Sequence, residues 1–130
     1  MTPQFDAIGV VVLDMGASLG FYRLLGLEFP AGADEEQHVE ATLPNGLRIM
    51  FDAVEMIQSI DPTWTAPSGG PRISLAFKCE DPAEVDRVYG QLVDAGYEAH
   101  KAPWDAFWGQ RYALMRDPDG NSVDLFAPLP

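Results

Sequence analysis

Arg116-Asp117-Pro118-Asp119-Gly120-Asn121 separates two runs near the end of this 130-residue chain, Gln110 to Met115 before it and Ser122 to Phe126 after it. Pro118 fixes φ near the value an early turn position needs, and Gly120 takes a positive φ without steric cost. Asp117, Asp119 and Asn121 carry side chains that hydrogen-bond nearby backbone, so the stretch reads as a tight hairpin. Working outward, a smaller version lies upstream: Leu43-Pro44-Asn45-Gly46, then Leu47 to Phe51. Aligning Gly46 with Gly120, 74 positions apart, sets Ile49 on Val123, Met50 on Asp124 and Phe51 on Leu125. The chain reads as one module built twice.

The segments before each hairpin extend the repeat. Residues 5–13 are β-branched enough for a strand, with Ile8, Val10 and Val12 on one face and Ala7, Gly9 and Val11 on the other. Asp14 is placed to cap a helix over 15–25, whose buried stripe is Leu19, Tyr22 and Leu25 with Phe21, and Gly26 stops it. Leu27 to Phe29 leads outward, Pro30 to Gln37 is an acidic loop, and His38 to Leu43 alternates as a strand that Leu47–Phe51 meets antiparallel. This gives β-α-β-β-β, ending near Asp52. Residues 53–71, with Pro62, Pro67, Gly69, Gly70 and Pro71, read as a linker or loop carrying Trp64. Arg72–Cys79 is the next strand. Asp81, Pro82 and Glu84 then form a capping-box-like start to a helix with Val85, Val88, Tyr89, Leu92 and Val93 on one stripe, closed by Gly96. A short strand near 97–101, a loop with Trp104, Phe107 and Trp108, and the final hairpin complete the second module. The expected fold class is α+β: two βαβββ modules (4–53 and 72–128, linker 54–71) in one domain.

Composition restricts what this fold can do. With 47% hydrophobic and 22% charged residues the chain is globular rather than disordered. A single cysteine, Cys79, excludes a disulfide framework and suits a reducing compartment. The apolar run Ala7–Leu13 follows Asp6, has no basic flank and is too short to span a bilayer, so a cytoplasmic location is expected. A net charge of −12 leaves no cationic footprint for nucleic acid or an anionic membrane. It either steers a cationic partner or serves solubility alone.

Two stretches carry a family resemblance: Phe21-Tyr22-Arg23-Leu24-Leu25-Gly26-Leu27-Glu28, and Trp108-Gly109-Gln110-Arg111 running into Asp117-Pro118-Asp119-Gly120-Asn121. Through them the chain resembles the vicinal oxygen chelate superfamily of glyoxalases, extradiol dioxygenases, and fosfomycin- and bleomycin-resistance proteins. The resemblance implies two βαβββ modules whose curved sheets form a cup with helices outside, and often a divalent metal held by the first and last strand of each module. The matching positions here are Ala7, Met50, Ser74 and Asp124. A methyl, a thioether, a hydroxyl and one carboxylate do not make a shell for Mg²⁺, Mn²⁺, Fe²⁺ or Zn²⁺. No metal and no cofactor are therefore expected, which points to the bleomycin-resistance-like, metal-free branch.

Other residues offer chemistry of their own. His38 and Glu40 share a strand face and are a workable ligand pair with Asp52 or Asp124, or else solvated residues on a sheet edge. His100 reads as surface and Cys79 as an inert core thiol. Asp124 alternates with Val123 and Leu125, so it points away from the core, where Arg48 or Lys78 could neutralise it; it is the candidate catalytic group if a reaction occurs. Trp104, Phe107 and Trp108 crowd one short stretch, and such flat rings suit planar or cationic ligands. Expected ligand contacts are these three rings and Asp124, with Arg48, Met50, Ser74 and His38. The reading is a metal-independent protein that sequesters a planar or cationic small molecule such as an antibiotic. The alternatives are a lyase, isomerase or dioxygenase with an atypical metal set or metal-free chemistry through Asp124, and a regulatory dimer without a ligand. A homodimer is expected in each case, with residues 1–5 free to cross to a partner copy.

Overall fold

The computed structural model describes residues 2–130, and the chain divides into two compact units meeting between Pro67 and Ser68. Met1 lies outside the described residues.

The first unit runs β1 (Ala7–Val12), α1 (Met15–Leu24), a 3₁₀ turn (Ala33–Glu35), β2 (His38–Thr42), β3 (Arg48–Ala53) and α2 (Val54–Ile60). Asp14 caps α1, its carboxylate accepting from the Ala17 N–H at 3.1 Å. The strand order is β1-β3-β2, with β1 parallel and β2 antiparallel to β3. Period-two alternation buries Val10, Val12, Val39, Ala41, Ile49 and Phe51 on one face, together with Leu19, Phe21 and Tyr22 of α1. Tyr22 meets Phe51 with ring centroids 5.0 Å apart. Burying each such side chain contributes about 1.5–3 kcal/mol.

Two expectations fail in this unit. It has three strands where the sequence suggested four. After α1 the chain turns at Pro30 and at Gly32 (φ 79°) into the 3₁₀ turn, and Arg23 holds Asp34 at 2.8 Å, so this segment never joins the sheet. The span 53–71 is not loop throughout, because α2 starts directly after β3. No side chain caps it and none of its residues is buried, which left little trace; the breakers begin only at Pro62.

The second unit runs β4 (Ser74–Lys78), α3 (Pro82–Asp94), β5 (Ala99–Ala106), β6 (Gln110–Arg116) and β7 (Ser122–Pro128), in sheet order β4-β7-β6-β5. The Asp81 carboxylate accepts from the Glu84 N–H at 2.8 Å, and Glu84 reaches back to the Glu80 N–H at 3.0 Å. Val85, Val88 and Leu92 of α3 are buried, as are Ala113, Met115, Val123, Leu125 and Ala127 of the sheet. A further correction concerns Trp104 to Trp108. Trp104, Asp105 and Ala106 are the end of β5, and only residues 107–109 form the tip, turned by Gly109 at φ 90°.

The repeat holds to the level of single hydrogen bonds. Asp117 donates its N–H to the Asn121 carbonyl at 3.0 Å and accepts from the Gly120 N–H at 3.0 Å. Leu43 does the same with Leu47 and Gly46, at 2.8 and 2.9 Å. The parallel ladders match too: Ala7 pairs with Arg48 as Ser74 pairs with Ser122, and Gly9 with Met50 as Ala76 with Asp124.

Candidate functional site

Each sheet buries one face and leaves the other open. On the second unit's open face β7 contributes Ser122, Asp124 and Phe126, because Val123, Leu125 and Ala127 turn inward. β6 contributes Tyr112, Leu114 and Arg116, its register opposing Tyr112 to Phe126 and Leu114 to Asp124. Tyr112 is thus a diagonal neighbour of Asp124, within reach of a long side chain. Its hydroxyl donates to Asp124 Oδ2 at 2.6 Å. The Ser122 hydroxyl makes a long 3.5 Å contact to Oδ1 and accepts from Arg116 Nη1 at 3.1 Å. Asp124 is only 7% exposed, and these hydroxyls are what let a carboxylate sit there. Burial, and then the hydrogen bond to Asp124, push the Tyr112 phenol up to about 12.

Aromatic rings continue from this pair. Tyr112 stacks on Phe126 (centroids 6.1 Å, 25°) and meets the edges of Trp108 at 5.4 Å and Trp104 at 5.7 Å. Trp104 and Trp108 are 6.0 Å apart, and Trp108 Nε1 donates to Gln110 Oε1 at 2.7 Å. Phe107 caps the hairpin tip beside Trp108 and is 96% exposed. Lys101 Nζ stands 4.0 Å over the Trp104 ring, so that ring already has a cation of its own.

The first unit's open face is polar. His38 is bracketed by carboxylates, Nδ1 bonding Asp52 and Nε2 bonding Glu40 at 2.7 Å. Arg48 spans Glu40 and Asp6, at 2.6 Å each. The Asp52 hydrogen bond, followed by that of Glu40, raises the His38 pKa above its usual 6.5; the His38 and Arg48 contacts lower that of Glu40. Met50 lies between Arg48 and Asp52 on β3, opposite Gly9.

The expected residues fall into two groups. Trp104, Trp108 and Asp124 come together in the second unit, with Phe107 at the rim and Ser74 exposed on β4. His38, Arg48 and Met50 share the first unit's face. Arg48 is engaged by Glu40 and Asp6, and neither it nor Lys78 is an ion-pair partner of Asp124. The partner of Asp124, Tyr112, was missed. The hairpin register supplied the missing signal, since pairing 116 with 122 sets 112 one step diagonal to 124. His100 is exposed, and Cys79 is buried with its thiol pushed up to about 11 by desolvation. The residues matching a superfamily metal shell are a methyl, a thioether, a hydroxyl, and a carboxylate already bonded by Tyr112. That set does not fit a hard or borderline cation. No group of three or more His, Cys, Asp or Glu among the described residues is placed to hold one.

Duplicated sheets, each with parallel first and last strands under one capped helix, define the class: a tandem-module α+β protein with an open aromatic face on its second sheet. The chain belongs to the Glyoxalase/Bleomycin resistance protein/Dioxygenase superfamily, whose sequence profile matches residues 4–125. A glyoxalase/bleomycin resistance protein/dioxygenase family enzyme from Burkholderia phytofirmans superposes with a TM-score of 0.82 at 19% identity, covering 98% of this chain and 100% of that one. A glyoxalase-related enzyme from Fulvimarina pelagi gives 0.80 at 21%, covering 97% and 88%. Lactoylglutathione lyase from Agrobacterium tumefaciens gives 0.67 at 20%, covering 98% and 95%. At these identities the likeness is one of fold. The protein YraH of Bacillus subtilis is 38% identical over 56 residues, 42% of this chain, and the match spans about two fifths of that relative (41%). No helix among the described residues is long and apolar enough to cross a membrane.

Proposed function

We propose that this chain is a metal-independent binding protein of the bleomycin-resistance type, holding a planar small molecule against the open face of β6 and β7. The observation that carries the reading is the unbroken run of rings from Trp104 and Trp108 through Tyr112 to Phe126, with the buried carboxylate of Asp124 held by the Tyr112 hydroxyl at its middle. Rings supply flat area at low entropic cost, and a few polar groups fix orientation. The chain's charge of −12 favours a cationic compound such as an antibiotic. Because Lys101 covers Trp104, the positive centre of such a ligand belongs near Trp108 or Asp124. A stacking or cation contact contributes about 0.5–2 kcal/mol, so several together support micromolar binding. The active species under this reading is a homodimer in the cytoplasm.

Titrating a panel of cationic, neutral and anionic planar compounds against Trp fluorescence tests the proposal. Binding should weaken about tenfold or more in Trp108→Ala, and the compound should be recovered unchanged. A panel without any response refutes it. The second reading, an enzyme working through Asp124, is favoured by the 2.6 Å Tyr112–Asp124 contact, a hydroxyl and a carboxylate poised to hand on a proton. Chemical change in the recovered compound establishes that reading instead.

A further inference from the structure

The two units differ at one edge, and the second shows what the first lacks. The 74-residue offset places β2 on β6: His38 on Tyr112, Glu40 on Leu114 and Thr42 on Arg116. In the second unit β5 covers the far side of β6, and just before it the Glu98 carbonyl takes the Arg116 N–H at 3.1 Å. In the first unit the corresponding side of β2 is a sheet edge. Bonds from Ala53 N–H to the Gln37 carbonyl (2.9 Å) and from Leu43 N–H to the Leu47 carbonyl (2.8 Å) set the ladder's phase. By antiparallel alternation Val39 and Ala41 turn their backbone groups toward β3, while His38, Glu40 and Thr42 turn theirs outward. Among the described residues nothing bonds those outward groups. Beside this edge a pocket of about 380 Å³ opens between β2 and the Pro30–Glu36 segment.

We infer that the β2 edge is a strand-addition site for an extended basic peptide segment of another protein, which takes the place β5 holds in the second unit. Five residues of edge suit a peptide of similar length. Charge selects the occupant. Glu36 and Glu40 line the pocket, Glu35 lies on the adjoining turn, and neither Glu35 nor Glu36 forms an ion pair among the described residues. His38 and Arg48 offset Glu40 only in part, because Asp52 and Asp6 share them. A second copy is the poorer occupant, since antiparallel pairing centred on β2 brings Glu40 against its own copy. Lysine or arginine at alternate positions of an added strand meets these carboxylates, and small apolar residues between them meet Ala33 and Val39.

The test uses the full chain and a capped eight-residue peptide alternating lysine and valine, followed by amide hydrogen exchange read by NMR. Binding should be saturable and salt-sensitive. It should slow exchange at His38, Glu40 and Thr42 at least tenfold while leaving Val39 and Ala41 unchanged. The same peptide N-methylated at alternate amides keeps its charge but loses its donors, and should bind at least tenfold more weakly. Thr42→Pro removes an outward N–H without touching the β3 ladder and should weaken binding similarly; Glu36→Lys is the alternative if that variant fails to fold. Equal binding of the methylated peptide, or binding without protection of these three amides, overturns the inference. So does concentration-dependent protection of the same amides without peptide, which assigns the edge to a second copy.

Discussion

Replacing Tyr112 by phenylalanine removes one oxygen and leaves the aromatic run in place. The lost bond is 2.6 Å long, reaches a carboxylate 7% exposed, and among the described residues leaves that carboxylate the Ser122 hydroxyl alone, at 3.5 Å. Hydrogen bonds to charged groups contribute about 1.5–3 kcal/mol, so the variant should lose about 2 kcal/mol, nearly a thirtyfold change in its unfolding equilibrium. There is a second signature. The phenol is raised in the folded chain to about 12 from its usual 10, so its stabilisation is complete below pH 10 and is lost as pH climbs toward 12. Wild-type stability should therefore fall across that window, and Tyr112→Phe should flatten the fall. The assay is urea denaturation at pH 7, 9 and 11, with tyrosinate absorbance to locate the late titration. A loss below about 0.5 kcal/mol at pH 7, with an unchanged alkaline profile, refutes the pairing.

Asp117 accepts from the Asp119 and Asn121 backbone N–H groups at 2.9 Å each and from Asn121 Nδ2 at 2.8 Å while almost fully buried, so Asp117→Ala should cost about 3 kcal/mol in chemical denaturation. Asn45→Ala, which removes only the 3.1 Å bond to the Leu47 N–H in the sister turn, should cost about 1 kcal/mol or less. The His38 pKa is raised in the folded chain, so its contribution is complete below pH 6.5 and is lost as pH rises through the folded value. His38→Gln should flatten the stability profile above pH 6.5, measured as melting temperature against pH. Cys79, buried with a thiol near 11, should resist iodoacetamide at neutral pH and label only on unfolding, as mass spectrometry reads directly.

Much of this architecture was written in short-range chemistry. Asp14 and Asp81 cap their helices with their own carboxylates, Gly46 and Gly120 take positive φ, and Asp117 closes its turn within four residues. None of these needs a distant partner, so residue type and spacing were enough to place α1, α3, the two hairpins and the duplication, whereas α2, with no capping side chain and no buried residue, left no such mark. Alternation along β7 likewise put Asp124 opposite the core before any contact was known. What the tertiary structure decided is which groups meet across strands. The segment after Gly26 could have paired with β2 as β5 pairs with β6; Pro30, Gly32 and the Arg23–Asp34 contact turned it aside. Asp124 found a phenol rather than Arg48, and His38 found carboxylates on its own strand and on β3. Such partners depend on register, twist and the other long side chains competing for each charge, quantities that exist only once the sheet has formed.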